Sequence, residues 1–229
     1  MFPHHVRSVA VIPAYNESHT IADVVERTTE HVDRVVVVDD GSDDDTAAIA
    51  RESGAVVIEH VINTGIGGAL RTGYRYAIDR EFDFIVQIDA DGQHDPDYIP
   101  MMLEAATDED MVIGSRYLNE SYKEYSFVRQ SGISFFTAVV NVLGGLDITD
   151  VTSGFRVYRV SALSEILHRS DDHWAVEQTL EAAHSGQRIR EVSVEMPTRD
   201  EGSSQFSLDT FVMYPIRMAD VIIRVLVFR

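Results

Sequence analysis

Cysteine is absent from this sequence and lysine nearly so, Lys123 being the single one. Without thiols there is no disulfide, no iron–sulfur cluster and no thiolate zinc site. At 229 residues the chain can bury a sizeable core without such staples. Its nine histidines are scattered, with no H-x₃-H pair, so a histidine metal site is not expected. Long apolar runs are missing too. No stretch of about 18 uncharged apolar residues suggests a membrane span, and the first residues lack the basic-then-apolar pattern of a secretory signal.

Positive charge is scarce. Thirty-eight acidic residues oppose 19 basic ones, a formal net charge of −19. A field of that sign disfavours nucleic acid as a partner. It fits a halophilic protein, adapted to a high-salt cytoplasm where screening suppresses self-repulsion, better than a merely acidic one. Raising KCl from dilute to molar is therefore expected to raise the melting temperature in a thermal unfolding series. A flat or falling trend would refute the adaptation and leave the chemistry below untouched.

What is present is an alternation of short apolar runs with amphipathic stretches, the pattern of an α/β fold with a mostly parallel sheet between helices. The runs predict strands at Val9–Ile12, Val35–Val38, Val56–Ile58, Phe84–Ile88 and Met111–Ile113, then Gly154–Tyr158 and Arg188–Met196. Val35–Val38 is all β-branched, as in a strand covered on both faces. Helices are predicted near Glu17–His31, Asp45–Ser53, Gly68–Arg80, Pro96–Ala106, Phe127–Leu143, Ala162–His168 and Ala175–His184. Asp95-Pro96 reads as an N-cap followed by proline at the first helical position. No internal repeat or linker interrupts the chain. The reading is one α/β domain over residues 1–205 and an apolar, amphipathic helix over residues 206–229.

Polar signals fall at the C-terminal ends of strands one, two and four, the edge where open parallel sheets bind ligands. Strand one ends in Pro13-Ala14-Tyr15-Asn16-Glu17, and strand two in Asp39-Asp40-Gly41-Ser42. Asp45 or Thr46 accounts for a capped turn, but not the acidic pair directly after a buried strand. Acceptors there suit the N–H edge of a base or ribose hydroxyls. Strand four ends in Asp89-Ala90-Asp91-Gly92-Gln93-His94. Alternation lets Asp89 and Asp91 project to one side, and with the Gln93 amide oxygen they form a hard, oxygen-only set suited to Mg²⁺ or Mn²⁺. His94 is read as structural or as a support to that set, and Trp174 as a core or acceptor-groove residue. The segment Asn63–Leu70 does not complete a dinucleotide loop, because Leu70 stands at the third glycine position. Its glycines are expected to open a helix whose N–H groups or close backbone approach serve the ligand pocket.

Together with Gly114-Ser115-Arg116-Tyr117 and Ser153-Gly154-Phe155, these motifs resemble family-2 glycosyltransferases of the GT-A fold, in particular the dolichol-phosphate mannose synthase group. The resemblance spans about Val9 to Gln205 and rests on five short motifs in order. It implies an inverting transfer of a hexosyl or N-acetylhexosaminyl group from a UDP- or GDP-sugar to a polyprenyl (dolichyl) phosphate, in protein or cell-surface glycosylation. Pro13, Tyr15, Glu17, Asp39 and Asp40 match positions that hold base and ribose. Asp89, Ala90, Asp91 and Gln93 match the diphosphate and metal positions. Arg116 matches an arginine near the donor, and Arg129 and Arg199 match arginines placed for phosphates. Two departures stand out: Ile66, and Gln205 at the end of Gly202-Ser203-Ser204-Gln205, occupy places where relatives often carry lysine.

A phosphate acceptor with a second pKa of about 6 is mostly dianionic at neutral pH and needs no general base, only guanidinium groups to hold it in line. A hydroxyl of a glycan or small molecule would need a carboxylate base, for which Glu177 is the one candidate. A nucleotide-sugar binding module without turnover is the third reading. Taken as a helix, Phe206–Phe228 places Arg217, Asp220 and Arg224 on one stripe opposite Leu208, Phe211, Pro215, Ala219, Ile222 and Leu226. Such a helix is expected to lie in a membrane interface, at the cytoplasmic face of the cell membrane, where a lipid phosphate has its head group.

Overall fold

The computed structural model describes residues 6–118, 127–166 and 173–196, with side chains described from Ile133 onward in the helix that opens the middle block. Strands β1 (Ser8–Ala14), β2 (Arg34–Asp39), β3 (Val56–Glu59), β4 (Phe84–Gln87), β5 (Met111–Ser115), β6 (Arg156–Arg159) and β7 (Ile189–Ser193) form one seven-stranded sheet. Its order is β3-β2-β1-β4-β6-β5-β7. β6 alone among them runs antiparallel to its neighbours β4 and β5. The chain builds outward from β1 to β3, then returns to place β4 on the other side of β1. That reversal is the switch point at which open α/β sheets take ligands.

Alternating side chains of each central strand feed two separate cores. Val9, Val11, Val36 and Val38 point to one, with α3 (Ile66–Asp79), α5 (Phe127–Gly144), α6 (Val160–Leu163) and α7 (Trp174–His184). Ala10, Ile12, Val35 and Val37 point to the other, with α1 (Ile21–Thr29), α2 (Thr46–Glu52) and α4 (Ile99–Ala105). The predicted burial of Val35–Val38 on both faces holds, since all four are nearly or fully enclosed. In α1 the buried residues Ile21, Val24, Val25 and Thr28 follow helical spacing, which fixes the face it lays on the sheet. Gly73 lets α3 lie directly on β1: a Cβ there would stand 2.2 Å from Val11 Cγ1.

The predicted elements recur with boundary shifts that have local causes. The first helix starts at Ile21, not Glu17: a turn precedes it, in which Thr20 N–H donates to Glu17 C=O (3.1 Å), and Glu17 N–H is tied to Thr46 Oγ1 of the neighbouring loop (2.9 Å). Asp95 caps Asp97 N–H as expected, but Pro96 opens a single 3₁₀ turn, Pro96–Tyr98, before α4. α6 ends at Leu163, short of the expected Ala162–His168 span. Trp174 belongs to the core, with the Arg156 guanidinium 5.3 Å from its ring. Among the described residues no helix is long and apolar enough to cross a membrane. Arg199, Gln205 and the 206–229 segment lie outside the described residues.

Candidate functional site

The C-terminal ends of β1, β2, β4 and β5 share one edge of the sheet, and the antiparallel β6 starts there. The motifs met separately in sequence therefore converge. The loops after β1 and β2 are knitted to each other. Asn16 N–H donates to Ser42 Oγ (2.9 Å), Asp43 N–H to Asn16 Oδ1 (2.9 Å) and Ser18 N–H to Asp44 Oδ2 (3.2 Å). Burial works against ionisation of Asp44, but donors from Thr46 and Ser18 hold its carboxyl down to about 2. Asn16 adopts a left-handed backbone, φ 56°, at the centre of this link. Tyr15 remains 42% exposed beside it, an aromatic surface at the sheet edge.

Asp39 and Asp40 differ in what they leave for a ligand. The Asp40 carboxylate accepts from Thr64 N–H (2.9 Å), Thr64 Oγ1 (2.8 Å) and Gly65 N–H (2.7 Å), and lies 2.7 Å from His60 Nδ1. It is 3% exposed. Asp40 thus acts as a strut that fixes the start of α3, with the N–H groups of Thr64 and Gly65 donating to it. Asp39 is just as buried, at 3% exposed, and accepts from Ser42 N–H (3.2 Å) and Ser42 Oγ (2.5 Å), one residue's worth of donors, at the end of β2. The Asn63–Leu70 glycines act in packing and geometry. Gly65 takes φ 83° before α3, and a Cβ on Gly68 would fall 2.3 Å from Thr64 Oγ1.

The loop after β4 carries the oxygen-rich set. Asp91 Oδ1 accepts from Gln93 N–H (3.0 Å), and Gly92 takes φ 75° to make that turn. Asp89 and Asp91 are half-buried, and the Asp89 side chain keeps 31% of its surface. His94 is buried behind them. Asp89 N–H donates to His94 Nδ1 (3.0 Å), which leaves the ring proton on Nε2, 3.7 Å from Asp89 Oδ2. Burial holds the imidazole down to about 4 against the pull of the Asp91 carboxylate, so it is neutral at physiological pH. With Nδ1 occupied, His94 supports Asp89 from behind rather than presenting a ligand nitrogen. The ring stacks on Phe155 (5.1 Å, 11°).

At the end of β5, Arg116 is locked in place. Its Nε and Nη2 donate to the Asp150 carboxylate at 2.6 and 2.8 Å, and Nη2 also to Thr152 Oγ1 (3.0 Å). Asp150 is fully buried. Glu191 on β7 braces the same loop, accepting from Thr149 N–H (2.7 Å) and Asp150 N–H (2.8 Å). Burial raises its pKa although those donors oppose the shift. Arg116 is thus a fixed cation whose charge acts on His94, not a mobile arm. Arg129 sits in the first turn of α5, its side chain outside the described residues. Glu177, the only base considered for a hydroxyl acceptor, is 1% exposed within α7 and offers no carboxylate to solvent.

Sequence reasoning missed His60, Asp150 and Glu191. They act across 20 to 42 residues of chain, and no short motif marks them. The two carboxylates fit a divalent cation by chemistry, being hard oxygen donors with the adjacent imidazole turned to other use. A Cβ on Gly154 would crowd the Asp89 carboxylate, so the cradle around that group is shaped for it. Among the described residues no three His, Asp or Glu side chains gather to hold an ion unaided. Two carboxylates are the number of protein ligands with which Mg²⁺ is commonly held beside a substrate's phosphates.

A helix-covered sheet with these loops at its switch point defines the GT-A class of α/β fold. Glucosyl-3-phosphoglycerate synthase from Mycobacterium tuberculosis, crystallised with Mn²⁺, UDP-glucose and phosphoglyceric acid, superposes with a TM-score of 0.72 at 20% identity. The match covers 96% of this chain and 79% of that one. The sequence model for glycosyl transferase family 2 matches residues 9–167, and the chain belongs to that family. An undecaprenyl-phosphate mannosyltransferase from Micrococcus luteus is 32% identical over 214 residues, covering 88% of each chain. A UDP-N-acetylglucosamine–dolichyl-phosphate N-acetylglucosaminyltransferase from Methanococcus voltae is 34% identical, covering 67% of this chain and 69% of its own.

Proposed function

We propose that the chain is an inverting, metal-dependent glycosyltransferase that moves a hexosyl or N-acetylhexosaminyl group from a UDP- or GDP-sugar to a polyprenyl phosphate at the cytoplasmic face of the membrane. The observation that carries the reading is the Asp89–Asp91 pair at the switch point, seated on a neutral His94. Names of relatives acting on undecaprenyl and dolichyl phosphate support the acceptor class. Asp89, Asp91 and Gln93 would hold Mg²⁺ or Mn²⁺, which when bound neutralises charge on a leaving diphosphate. Pro13, Tyr15, Glu17 and Asp39 receive base and ribose; Asp40 contributes by setting the start of α3. Arg116, held by Asp150, supplies a fixed positive charge beside the diphosphate position.

The acceptor phosphate attacks the anomeric carbon from the face opposite the leaving group, with Arg129 and Arg199 orienting it. A dianionic nucleophile requires no base, and the burial of Glu177 is in keeping with that. The 206–229 helix would lie in the membrane interface and bring the chain to its lipid acceptor. The test is a panel of UDP- and GDP-sugars with Mn²⁺, with and without polyprenyl phosphate in liposomes. Arg199→Ala is expected to slow transfer to lipid phosphate far more than the slow hydrolysis of donor by water. Equal loss of both reactions would move Arg199 to the donor side. Transfer to a sugar hydroxyl but not to lipid phosphate would overturn the acceptor, and failure of the unmutated protein to co-float with liposomes would overturn the interfacial helix.

A further inference from the structure

Ser153-Gly154-Phe155 enters the site with glycine at the point nearest the Asp89 carboxylate. β4 and β6 pair antiparallel with Gln87 opposite Arg156. Beyond the ends of that ladder the two chains stay close, and Gly154 comes against the Asp89 side chain. A Cβ on Gly154 would lie 2.9 Å from Asp89 Oδ2, 3.2 Å from Oδ1 and 3.3 Å from Cγ. The three nearest atoms all belong to one carboxylate. Gly154 is not among the glycines with positive φ, so no left-handed backbone demands glycine here. What the position demands is space.

The surroundings determine what would give way. The Asp89 main chain is held by its N–H bond to His94 Nδ1, and that ring is buried and stacked on Phe155, the next residue after Gly154. The segment entering β6 is held in turn by Gly114 N–H donating to Phe155 C=O at 2.9 Å. Backbone on both sides of the contact is therefore pinned, while the Asp89 carboxylate is the half-exposed end of a rotatable side chain. An added methyl would be accommodated by turning that carboxylate, at small cost to the fold.

We propose that Gly154 is a positioning residue for the Asp89 carboxylate, its missing side chain holding open the one orientation in which Asp89 joins Asp91 on a divalent cation. The inference rests on the metal reading above and is tested without sugar transfer. Mn²⁺ binding is titrated by electron paramagnetic resonance of the unbound ion, with UDP or GDP present, alongside thermal unfolding. The unmutated protein, Gly154→Ala and Asp91→Ala are compared. Gly154→Ala is expected to weaken Mn²⁺ binding by about 10–100-fold, the range for groups that orient a metal ligand, with a melting temperature within a few degrees of the unmutated protein. Undiminished Mn²⁺ binding by Gly154→Ala, while Asp91→Ala has lost it, would overturn the role of Gly154 alone. A collapse of the melting temperature would make Gly154 a packing residue and overturn it likewise. No Mn²⁺ binding by the unmutated protein would overturn the metal reading, and this inference with it.

Discussion

Asp91→Ala is expected to lower sugar transfer by about 10²–10³-fold, the usual loss when one preorganised charge-stabilising group is removed. Its melting temperature should stay close to that of the unmutated protein. The asymmetry follows from the geometry. Asp91 is half-buried in a loop, and the bond it accepts from Gln93 N–H contributes about 0.5–1.5 kcal/mol net. Two carboxylates after β4 serve the strand little and a cation well, so the loss should fall on chemistry. Initial rates against Mn²⁺ concentration, paired with thermal unfolding, check both halves. Wild-type rates from Asp91→Ala, or in excess EDTA, would sink the metal assignment.

Asp150→Ala should behave in the opposite sense. The carboxylate is fully buried and receives two charged donors from Arg116. Removing it leaves a guanidinium in the interior without its counter-charge, which costs about 3–5 kcal/mol in comparable pairs. For a chain of this size that corresponds to a fall of about 6–20 °C in melting temperature. Truncating the cation as well, in Asp150→Ala with Arg116→Met, should recover part of the loss, because no lone charge then remains. A change below about 1 kcal/mol in the single variant would contradict the pairing. A double variant no more stable than the single one would place the cost elsewhere in the Thr149–Thr152 loop.

The two aspartates show where sequence is informative and where it stops. Asp91 is legible because its neighbours are its context: a buried strand, a D-x-D spacing and a glycine turn are all local. Asp150 is not, since its meaning depends on Arg116, 34 residues earlier, and on Glu191, 41 residues later. Asp40 shows a subtler limit. An acidic pair after a buried strand looks like two equivalent acceptors, but successive side chains diverge. Asp40 meets the incoming Thr64-Gly65 backbone, while Asp39 stays with Ser42. Gly154 was legible only as a letter in a motif. Its reason for being glycine is the Asp89 carboxylate that the fold sets against it.

Local chemistry in the chain was enough to determine the strands, the double-sided burial of β2, the order of helices and the carboxylates after β4. Each of these depends on side-chain period, capping or turn residues within a few positions. The insertion of β6 antiparallel between β4 and β5 was decided only by the tertiary structure. So were the strut role of Asp40, the anchoring of Arg116 and the space kept beside Asp89. Those are contacts between segments far apart in sequence, where whether a polar group is open to ligand or occupied depends on which partner the fold delivers. A sequence lists the donors and acceptors, but burial and register decide which of them meet.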